Sequence, residues 1–194
     1  MIHKIYSTIC LMILIKFITA GLLRPENSSD LNYIHILFEW TQMDNADAYQ
    51  LQVARDISFS DIIVDEIDSS LIYIEKNSIE WGNTYHWRIR SFKDNIVTSD
   101  WSESFQFTTG TTRSNASATI YDDSQYGEGV TIFWAFFDYF SGIIDENGNE
   151  IWNTGEEDIV YYNTDYFGNL FGCQLRPELE NNLPGMKFSL ESNT

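Results

Sequence analysis

Short segments in which apolar and polar residues alternate constrain the fold of this chain more than any other feature. Successive side chains of a strand point to opposite faces, so a period of two predicts strands with one buried face. After residue 21 no segment repeats apolar residues at the helical spacing. The sequence therefore predicts an antiparallel β-sandwich of about ninety residues. Four segments show the alternation: "IHILFEW" (34–40), "AYQLQVAR" (48–55), "TYHWRIRSF" (84–92) and "SFQFTT" (104–109).

The alternation also predicts which side chains point into the sandwich. The inward set is Ile34, Ile36, Phe38, Trp40, Tyr49, Leu51, Val53, Tyr85, Trp87, Ile89, Phe105 and Phe107. The outward set contains His35, Gln50, Gln52, Ala54, His86, Arg88 and Arg90. Turns are expected between the strands, at "TQMDNAD", "DEIDSS", "WGNT" and "KDNIVTSD".

The order of these segments over residues 31–110 resembles a bacterial fibronectin type III module. Such modules carry a tryptophan on an early strand, then "Y-x-L-Q-V", "G-x-T-Y-x-W-R-V-R", "W-S" and "F-x-T" pieces. The resemblance implies that Trp40 and Trp87 lie in the core and that the hydroxyl of Tyr85 ties down a neighbouring loop. It assigns no function, because these modules serve as spacers, binders and enzyme appendages.

The first 21 residues are typical of a secretory signal peptide. Lys4 precedes the apolar run "ICLMILIKFITAG", which ends in small residues and whose uninterrupted part is too short to span a bilayer comfortably. An uncleaved anchor or a buried N-terminal strand is the alternative. We expect a secreted protein, periplasmic or at the cell surface, with no membrane insertion after cleavage. Cleavage would remove Lys4 and Lys16, keep all 29 acidic residues and change the net charge from −18 to −20.

This charge and the cysteine content exclude several classes of function. An acidic surface repels phosphate backbones and anionic lipids, so no nucleic-acid partner is expected. Of the two cysteines, Cys10 lies in the signal, and Cys173 alone forms neither an internal disulfide nor a cysteine zinc site. The glycosylation pattern occurs at Asn27 and Asn115.

A second region follows a small, polar segment that is typical of a linker. We divide the chain into a signal peptide (1–21), a sandwich (22–110), a linker (111–118) and a second region (119–194). The second region is rich in aromatic residues and glycine, and tight turns separate its apolar runs, as in a propeller blade. Its predicted strands are about 130–135, 140–144, 150–152, 159–162 and 170–174.

The segment "SGIIDENGNEIWNTG" (141–155) is the main candidate for a metal site. An EF-hand loop needs oxygen ligands at positions 1, 3 and 5, glycine at 6 and glutamate at 12. Counted from Asp145, the chain offers Asn147, Asn149 and Glu156, but Gly148 stands at position 4. Apolar residues flank the segment on both sides, and Asn-Gly favours a type I′ hairpin. The hairpin is therefore preferred over a calcium site.

Three pieces of the second region resemble the opening of an arylsulfotransferase-type β-propeller. "GVTIF" (129–133), "IIDENGNEIW" (143–152) and "GNLF" (168–171) match a "G-x-T-L-F" strand, an "L-I-D-x-x-G-x-x-V-W" hairpin and a "G-N-L-L" strand. A small sandwich also precedes the propeller in the bacterial family. The match covers about one blade and part of the next, so the expected fold is all-β, a sandwich followed by an incomplete propeller.

The resemblance implies the N-terminal, catalytically incomplete portion of a secreted arylsulfotransferase-like protein. The whole protein would transfer a sulfuryl group between phenolic compounds, and the missing blades would be partners of this chain. A truncated product explains the length, although a short protein with a small independent sheet is the alternative. The competing function is a non-enzymatic adhesion or scaffold protein that binds an extracellular protein or glycan.

The resemblance implies catalysis through a propeller histidine, helped by histidines and an arginine from later blades. Of the three histidines, His3 lies in the signal, His35 and His86 lie in the sandwich, and none follows. We therefore predict no catalytic, cofactor-binding or metal-binding residue and no cofactor, and enzyme activity stays open. Ser141 and Cys173 lack a neighbouring histidine, although Arg176 is near the cysteine in sequence.

One acidic run, one group of arginines and glutamines, and one aromatic cluster are further candidates for sites. The run "TGEEDIVYYNTD" supplies carboxylates for glycan hydrolysis, but a solvated turn is preferred. Two arginines and two glutamines on neighbouring strands could bind an acidic ligand, but an ordinary sheet exterior is preferred. The aromatic cluster is expected to pack between sheets, with a minority exposed. The carboxylates are Glu156, Glu157, Asp158 and Asp165; the arginines and glutamines are Arg88, Arg90, Gln50 and Gln52; and the aromatic cluster is Phe133, Trp134, Phe136, Phe137, Tyr139 and Phe140.

Overall fold

The described part of the chain is built from strands joined by turns. The computed structural model describes residues 21–115, 129–135, 138–175 and 185–190. Since these residues form no helix, none of them could provide an apolar helix of membrane-spanning length. The strands are β1 (Leu22–Arg24), β2 (Ser29–Leu31), β3 (Ile36–Trp40), β4 (Ala48–Ala54), β5 (Ile62–Asp68), β6 (Ile72–Glu75), β7 (Thr84–Lys93), β8 (Ile96–Val97), β9 (Phe105–Thr109), β10 (Thr131–Ala135), β11 (Phe140–Ile144), β12 (Glu150–Asn153), β13 (Ile159–Thr164), β14 (Leu170–Gln174) and β15 (Gly185–Phe188).

The first nine strands form the two sheets of a sandwich, and the all-β prediction is confirmed. One sheet has the order β1-β3-β6, and the other has the order β2-β9-β7-β4-β5 with β8 beside β7. Neighbouring strands are antiparallel except β2 and β9, which are parallel because the chain crosses to the second sheet after β1. The turn predicted at 65–70 is wrong for residues 65–68, which continue β5.

The core between the two sheets follows the predicted alternation closely. Phe105 is half-buried, and Ile34 is half-buried and packs against the core of the second region as well. Each fully buried large apolar side chain contributes roughly 1.5–3 kcal/mol relative to exposure. The predicted inward residues that are buried are Ile36, Phe38, Trp40, Tyr49, Leu51, Val53, Tyr85, Trp87, Ile89 and Phe107.

Two buried tyrosines fix loops through their hydroxyl groups. The oxygen of Tyr85 accepts a hydrogen bond from the backbone N–H of Glu80 at 2.9 Å, as the resemblance implied. Tyr49 accepts one from the N–H of Met43 at 2.9 Å. Both bonds satisfy a loop N–H group that strand pairing does not reach.

The second region contains two three-stranded antiparallel sheets, β10-β11-β12 and β13-β14-β15. The five predicted strands are confirmed within two residues, whereas β15 was not predicted. Ser141 joins the sheets, because its hydroxyl donates to the carbonyl of Ile159 and accepts from the N–H of Tyr161, both at 2.8 Å. A second core lies beside this link and consists of Ile143, Ile151, Trp152, Ile159, Leu170 and Phe188.

The sandwich contacts the second region along the edge of β12. The N–H of Ile34 donates to the carbonyl of Ile151 at 3.1 Å, and the N–H of Asn153 donates to the carbonyl of Asn32 at 3.0 Å. Residues 32–34 thus extend the sheet β10-β11-β12 by one short, irregular strand and satisfy backbone groups at its edge. The division at residues 110 and 118 stays a prediction.

Glu150 holds the segment after the sandwich against β12. This side chain is 6% exposed. Its carboxylate accepts hydrogen bonds from the N–H groups of Arg113 and Ser114, at 3.0 and 2.7 Å. Trp81 adds a bond from its Nε1 to the carbonyl of Glu150 at 2.8 Å. With the side-chain amide of Asn153, which also donates to it, the buried carboxylate has three donors in place of water.

Replacing Glu150 by glutamine should weaken this junction although the shape is kept. An amide group would face backbone N–H donors with one acceptor oxygen instead of two, and a buried donor left unsatisfied costs about 1–2 kcal/mol. We expect urea-induced unfolding, followed by circular dichroism, to show a loss of that size. Glu156→Gln, a change at an exposed position of the same region, should stay within about 0.5 kcal/mol. Equal effects of the two variants would contradict the assigned role of Glu150.

Candidate functional site

A pocket of about 360 Å³ lies where the sandwich meets the second region. Its sandwich side comes from β3 and the segment before it, and its opposite side comes from β11 and β12. Most of the lining is apolar, which is typical of sites for small molecules. The lining residues are Tyr33, His35, Leu37, Val130, Ile143, Ile151, Trp152 and Leu190.

His35 is the lining residue with acid–base chemistry near neutral pH. It points outward from the sandwich, as predicted, but the second region covers that part of the outer face. Desolvation lowers the pKa of His35 below its ordinary value, and the charge of Lys76 lowers it further. The carboxylates of Asp145 and Glu75 oppose this shift without cancelling it. The imidazole is therefore neutral at pH 7.

The described lining of the pocket suits an apolar ligand. Nucleophilic catalysis needs a nucleophile hydrogen-bonded to a base, and among the described residues that line the pocket there is no serine, cysteine or carboxylate. The Nε1 of Trp152 is already used, since it donates to the carbonyl of Leu190 at 2.8 Å. Sequence reasoning missed this site, because nothing in the alternation of β3 indicates which segment covers its outer face.

The lowered pKa of His35 predicts how stability depends on pH. The folded state binds this proton less tightly than the unfolded chain, whose histidine pKa is about 6.5. Stability is therefore fully present above that value and falls as pH decreases through it. Between about pH 7 and 5 the free energy of unfolding should decrease, and His35→Gln should flatten the slope. Parallel slopes in urea titrations of the two proteins would contradict the assignment.

The acidic segment at 145–149 forms a hairpin loop whose carboxylate is already engaged. Asp145 accepts hydrogen bonds from the N–H groups of Asn147 and Asn149 and from the side-chain amide of Asn149, at 2.8–2.9 Å. These bonds hold the pKa of Asp145 below its ordinary value against a desolvation effect that raises it. Among the described residues no group of three or more His, Cys, Asp or Glu side chains is placed to hold a metal ion.

The hairpin is confirmed, but the predicted type I′ turn is wrong. A type I′ turn needs positive φ at both central residues, and here Gly148 has φ of 84° while Asn147 does not have positive φ. The N–H of Gly148 donates to the carbonyl of Asp145 at 3.1 Å. The loop is therefore a three-residue connection with a left-handed glycine, and the Asp145 carboxylate stabilises it.

The same loop occurs again twenty residues later, which sequence reasoning also missed. Asp165 accepts from the N–H groups of Phe167 and Asn169 and from the Asn169 side chain, at 2.8–2.9 Å. Gly168 has φ of 80° and donates to the carbonyl of Asp165 at 3.1 Å. The repeated pattern Asp-x-x-Gly-Asn, "DENGN" and "DYFGN", was the signal that could have revealed the repeat.

Among the other candidates for chemistry in the second region, Cys173 and Glu157 have structural partners. Cys173 is buried, and its sulfur lies 2.7 Å from the hydroxyl of Tyr162. Glu157 bonds with the side-chain amide of Gln174, and Glu156 and Asp158 are exposed. Arg176, Phe136 and Phe137 lie outside the described residues. Of the aromatic cluster, Phe140 is buried, Phe133 is half-buried, and Trp134 and Tyr139 are exposed.

The arginines on the outer face of the sandwich belong to a network of stacking contacts and hydrogen bonds that connects β4, β5 and β7. The guanidinium carbon of Arg88 lies 3.8 Å from the ring centre of Phe59, and Trp101 stacks against both Arg88 and Arg90, at 4.3 and 4.4 Å. Gln52 and Gln50 accept from these arginines, and both glutamines donate to Asp65. Aromatic rings cover the faces of the guanidinium groups, and the Asp65 carboxylate already belongs to the network. The geometry therefore favours an ordinary solvent-facing sheet surface over a binding site for an acidic ligand.

Comparison with known families supports the sandwich predicted for the first half of the chain. Residues 35–113 match the sequence model of a family described as "Rha78A-like, N-terminal immunoglobulin domain". These residues include the strands from β3 to β9, so the chain contains an immunoglobulin-like sandwich. The match ends before the second region and does not test its resemblance to a propeller. No curated protein matches the chain significantly.

Proposed function

We propose that this chain is the non-catalytic N-terminal portion of a secreted, arylsulfotransferase-like protein. In this proposal, a fibronectin type III-like sandwich caps the first sheet of a β-propeller whose later blades carry the chemistry. The pairing of residues 32–34 with the edge of β12 carries the capping role. An exposed strand edge invites pairing with other chains, so covering it stabilises the first unit of a repeat.

Contacts of Arg113, within the predicted linker, support this cap. Arg113 donates from its guanidinium to the carbonyls of Gly155 and Asp138, at 2.5 and 3.1 Å, and stacks over Phe140 at 4.5 Å. A flexible tether between independent domains would not need these bonds. The matched family is described as an N-terminal domain, which agrees with a sandwich placed ahead of another unit.

The sulfuryl-transfer part of the proposal is supported by the order of three sequence pieces. "GVTIF" runs into β10, "IIDENGNEIW" runs from β11 to β12, and "GNLF" runs into β14. Two successive hairpins whose loops share the same hydrogen bonds are compatible with the repeated units of a propeller. Secretion is supported by the signal-like sequence at 1–21, of which residues 1–20 lie outside the described part.

The experiment measures sulfate transfer from 4-nitrophenyl sulfate to phenol, followed by the release of nitrophenolate. We expect no release above buffer with the 194-residue chain and clear transfer with the full product of its gene isolated from the source cells. Turnover by the chain alone would overturn the non-catalytic role. A full gene product that fails to transfer sulfate to a panel of phenols would overturn the enzyme class.

A second function, binding of an extracellular partner without catalysis, is favoured by one specific observation. Tyr166 and Phe167, in the loop between β13 and β14, are almost fully exposed to water.

A further inference from the structure

Comparing the two Asp-x-x-Gly-Asn loops shows which of their five positions determine the loop conformation and which do not. Asp, Gly and Asn make the same hydrogen bonds in both loops, so these three positions determine the loop shape. The two middle positions make no contribution to that pattern through their side chains. They are Glu146 and Asn147 in the first loop and Tyr166 and Phe167 in the second.

The middle residues of the second loop are aromatic and almost fully exposed. Tyr166 is 98% exposed and Phe167 is 85% exposed. Their ring centres lie 5.8 Å apart, and the ring planes stand at 82° to each other. The Asp165 carboxylate fixes the loop beneath them, so little order is lost when a ligand binds. Exposed aromatic residues on a rigid loop are typical of recognition sites, because they offer a large contact area at low entropic cost.

We propose that this aromatic tip, defined as Tyr166 and Phe167, binds neutral carbohydrate. A pyranose ring places a face of C–H bonds against an aromatic ring and directs its hydroxyl groups sideways. Asn163, two residues before Asp165, is an exposed polar group near the tip, whereas the Asn169 amide nitrogen and the Thr164 hydroxyl already bond with Asp165 and Tyr161. The perpendicular rings suit a bent, soluble chain of sugars better than a flat crystalline surface.

Local charge and size argue against the other classes of partner. The segment from Glu156 to Leu175 contains four acidic residues and no lysine or arginine. The charge of Lys187 on β15 acts on Asp165, but the local balance stays acidic and repels anionic polymers and anionic lipids. Two side chains on a narrow hairpin are also too small for a stable protein interface, which buries about 800 Å² on each partner. Neutral sugar rings have neither restriction. The inference does not depend on sulfuryl transfer, so either proposal can fail alone.

The test is native affinity electrophoresis of the 194-residue chain in gels that contain soluble neutral polysaccharides: mannan, xyloglucan, arabinoxylan or mixed-linkage glucan. We expect at least one polymer to retard the chain. The variant Tyr166→Gln/Phe167→Asn introduces side chains like those of the first loop without a new charge. It should fold normally and bind at least about tenfold more weakly. The single variant Tyr166→Gln, with an intermediate loss, covers the case in which the double variant does not fold.

A reciprocal variant serves as the control for nonspecific adsorption to the gel. Glu146→Tyr/Asn147→Phe adds two rings to the first loop, and polysaccharide binding should then increase, while binding to bare gel matrix should not change. The proposal is overturned if no polymer retards the chain or if the double variant is retarded equally. Sedimentation with neutral phosphatidylcholine vesicles, if it required Tyr166 and Phe167, would assign the tip to membranes and overturn it as well.

Discussion

Replacing Gly172 by alanine should disrupt the second region while the sandwich stays folded. A Cβ atom at this position would lie 2.2 Å from the carbonyl oxygen of Val160 and 3.2 Å from the ring of Phe188. The first contact is with the backbone of the paired strand, which cannot move aside without breaking the pairing of β13 and β14. We expect a loss at or above 3 kcal/mol, roughly the upper end of what overpacking usually costs.

The measurement is amide hydrogen exchange resolved along the chain, together with urea unfolding. Protection should be lost in β13 to β15 and kept in β4 and β7, which lie in the sandwich. Gly185→Ala is the matched control, because Gly185 lies on the adjacent strand and a Cβ there meets nothing within 4 Å among the described residues. It should be neutral or slightly stabilising, since alanine restricts the unfolded chain. Similar protection in both variants would show that β13 and β14 are not packed this closely.

The alternation of apolar and polar residues was sufficient to predict strands whose two faces differ. β3, β4 and β7 each bury one face against the core, and the period of two is visible in β3 and β7 and in the first four residues of β4. Gln52 and Ala54, which were predicted to face outward, are buried as well. β5 is different, because it lies at a sheet edge and four of its seven residues are exposed. Its acidic end therefore resembles a turn in sequence, although backbone pairing with β4 continues to Asp68.

Contacts between distant segments could not be read from local patterns. His35 was correctly assigned to the outer face of the sandwich, but its burial depends on β11 and β12, more than a hundred residues later. The contact of Glu150 with the N–H groups of Arg113 and Ser114 likewise depends on how two regions meet. Such contacts need the tertiary arrangement, because the same residues would be solvated in isolated hairpins.

The hairpin at Asp145 follows from the Asn-Gly pair and its apolar flanks, but the pair gave the wrong turn type. A type I′ turn and the observed loop both place glycine in a left-handed conformation, so the pair does not distinguish them. The aspartate three residues before the glycine does, because its carboxylate can bind the N–H groups of the loop. The second loop, at Asp165, has no Asn-Gly pair and has the same conformation. The aspartate is therefore a determinant of that loop conformation.

Replacing Trp87 by alanine should be the most destabilising single change in the sandwich. Its side chain is fully buried, and its ring lies 5.2 Å from that of Phe38 and 6.0 Å from that of Phe105. Truncation removes the transfer free energy of the indole and leaves a cavity between two sheets whose backbones are fixed by pairing. Such changes cost about 3–5 kcal/mol, a large part of the stability of a domain this size.

A second variant separates loss of packing from loss of hydrogen bonding. The indole Nε1 of Trp87 is buried without a hydrogen-bond partner among the described residues. Trp87→Phe therefore loses no hydrogen bond and keeps a ring beside Phe38, so its cost should be less than roughly half that of alanine. Phe167→Ala removes an aromatic ring from an exposed position and should stay within about 0.5 kcal/mol. Urea unfolding that showed phenylalanine to be as damaging as alanine at position 87 would contradict this interpretation. The indole nitrogen would then have a hydrogen-bond partner, and packing alone would not explain why tryptophan occupies the centre of the core.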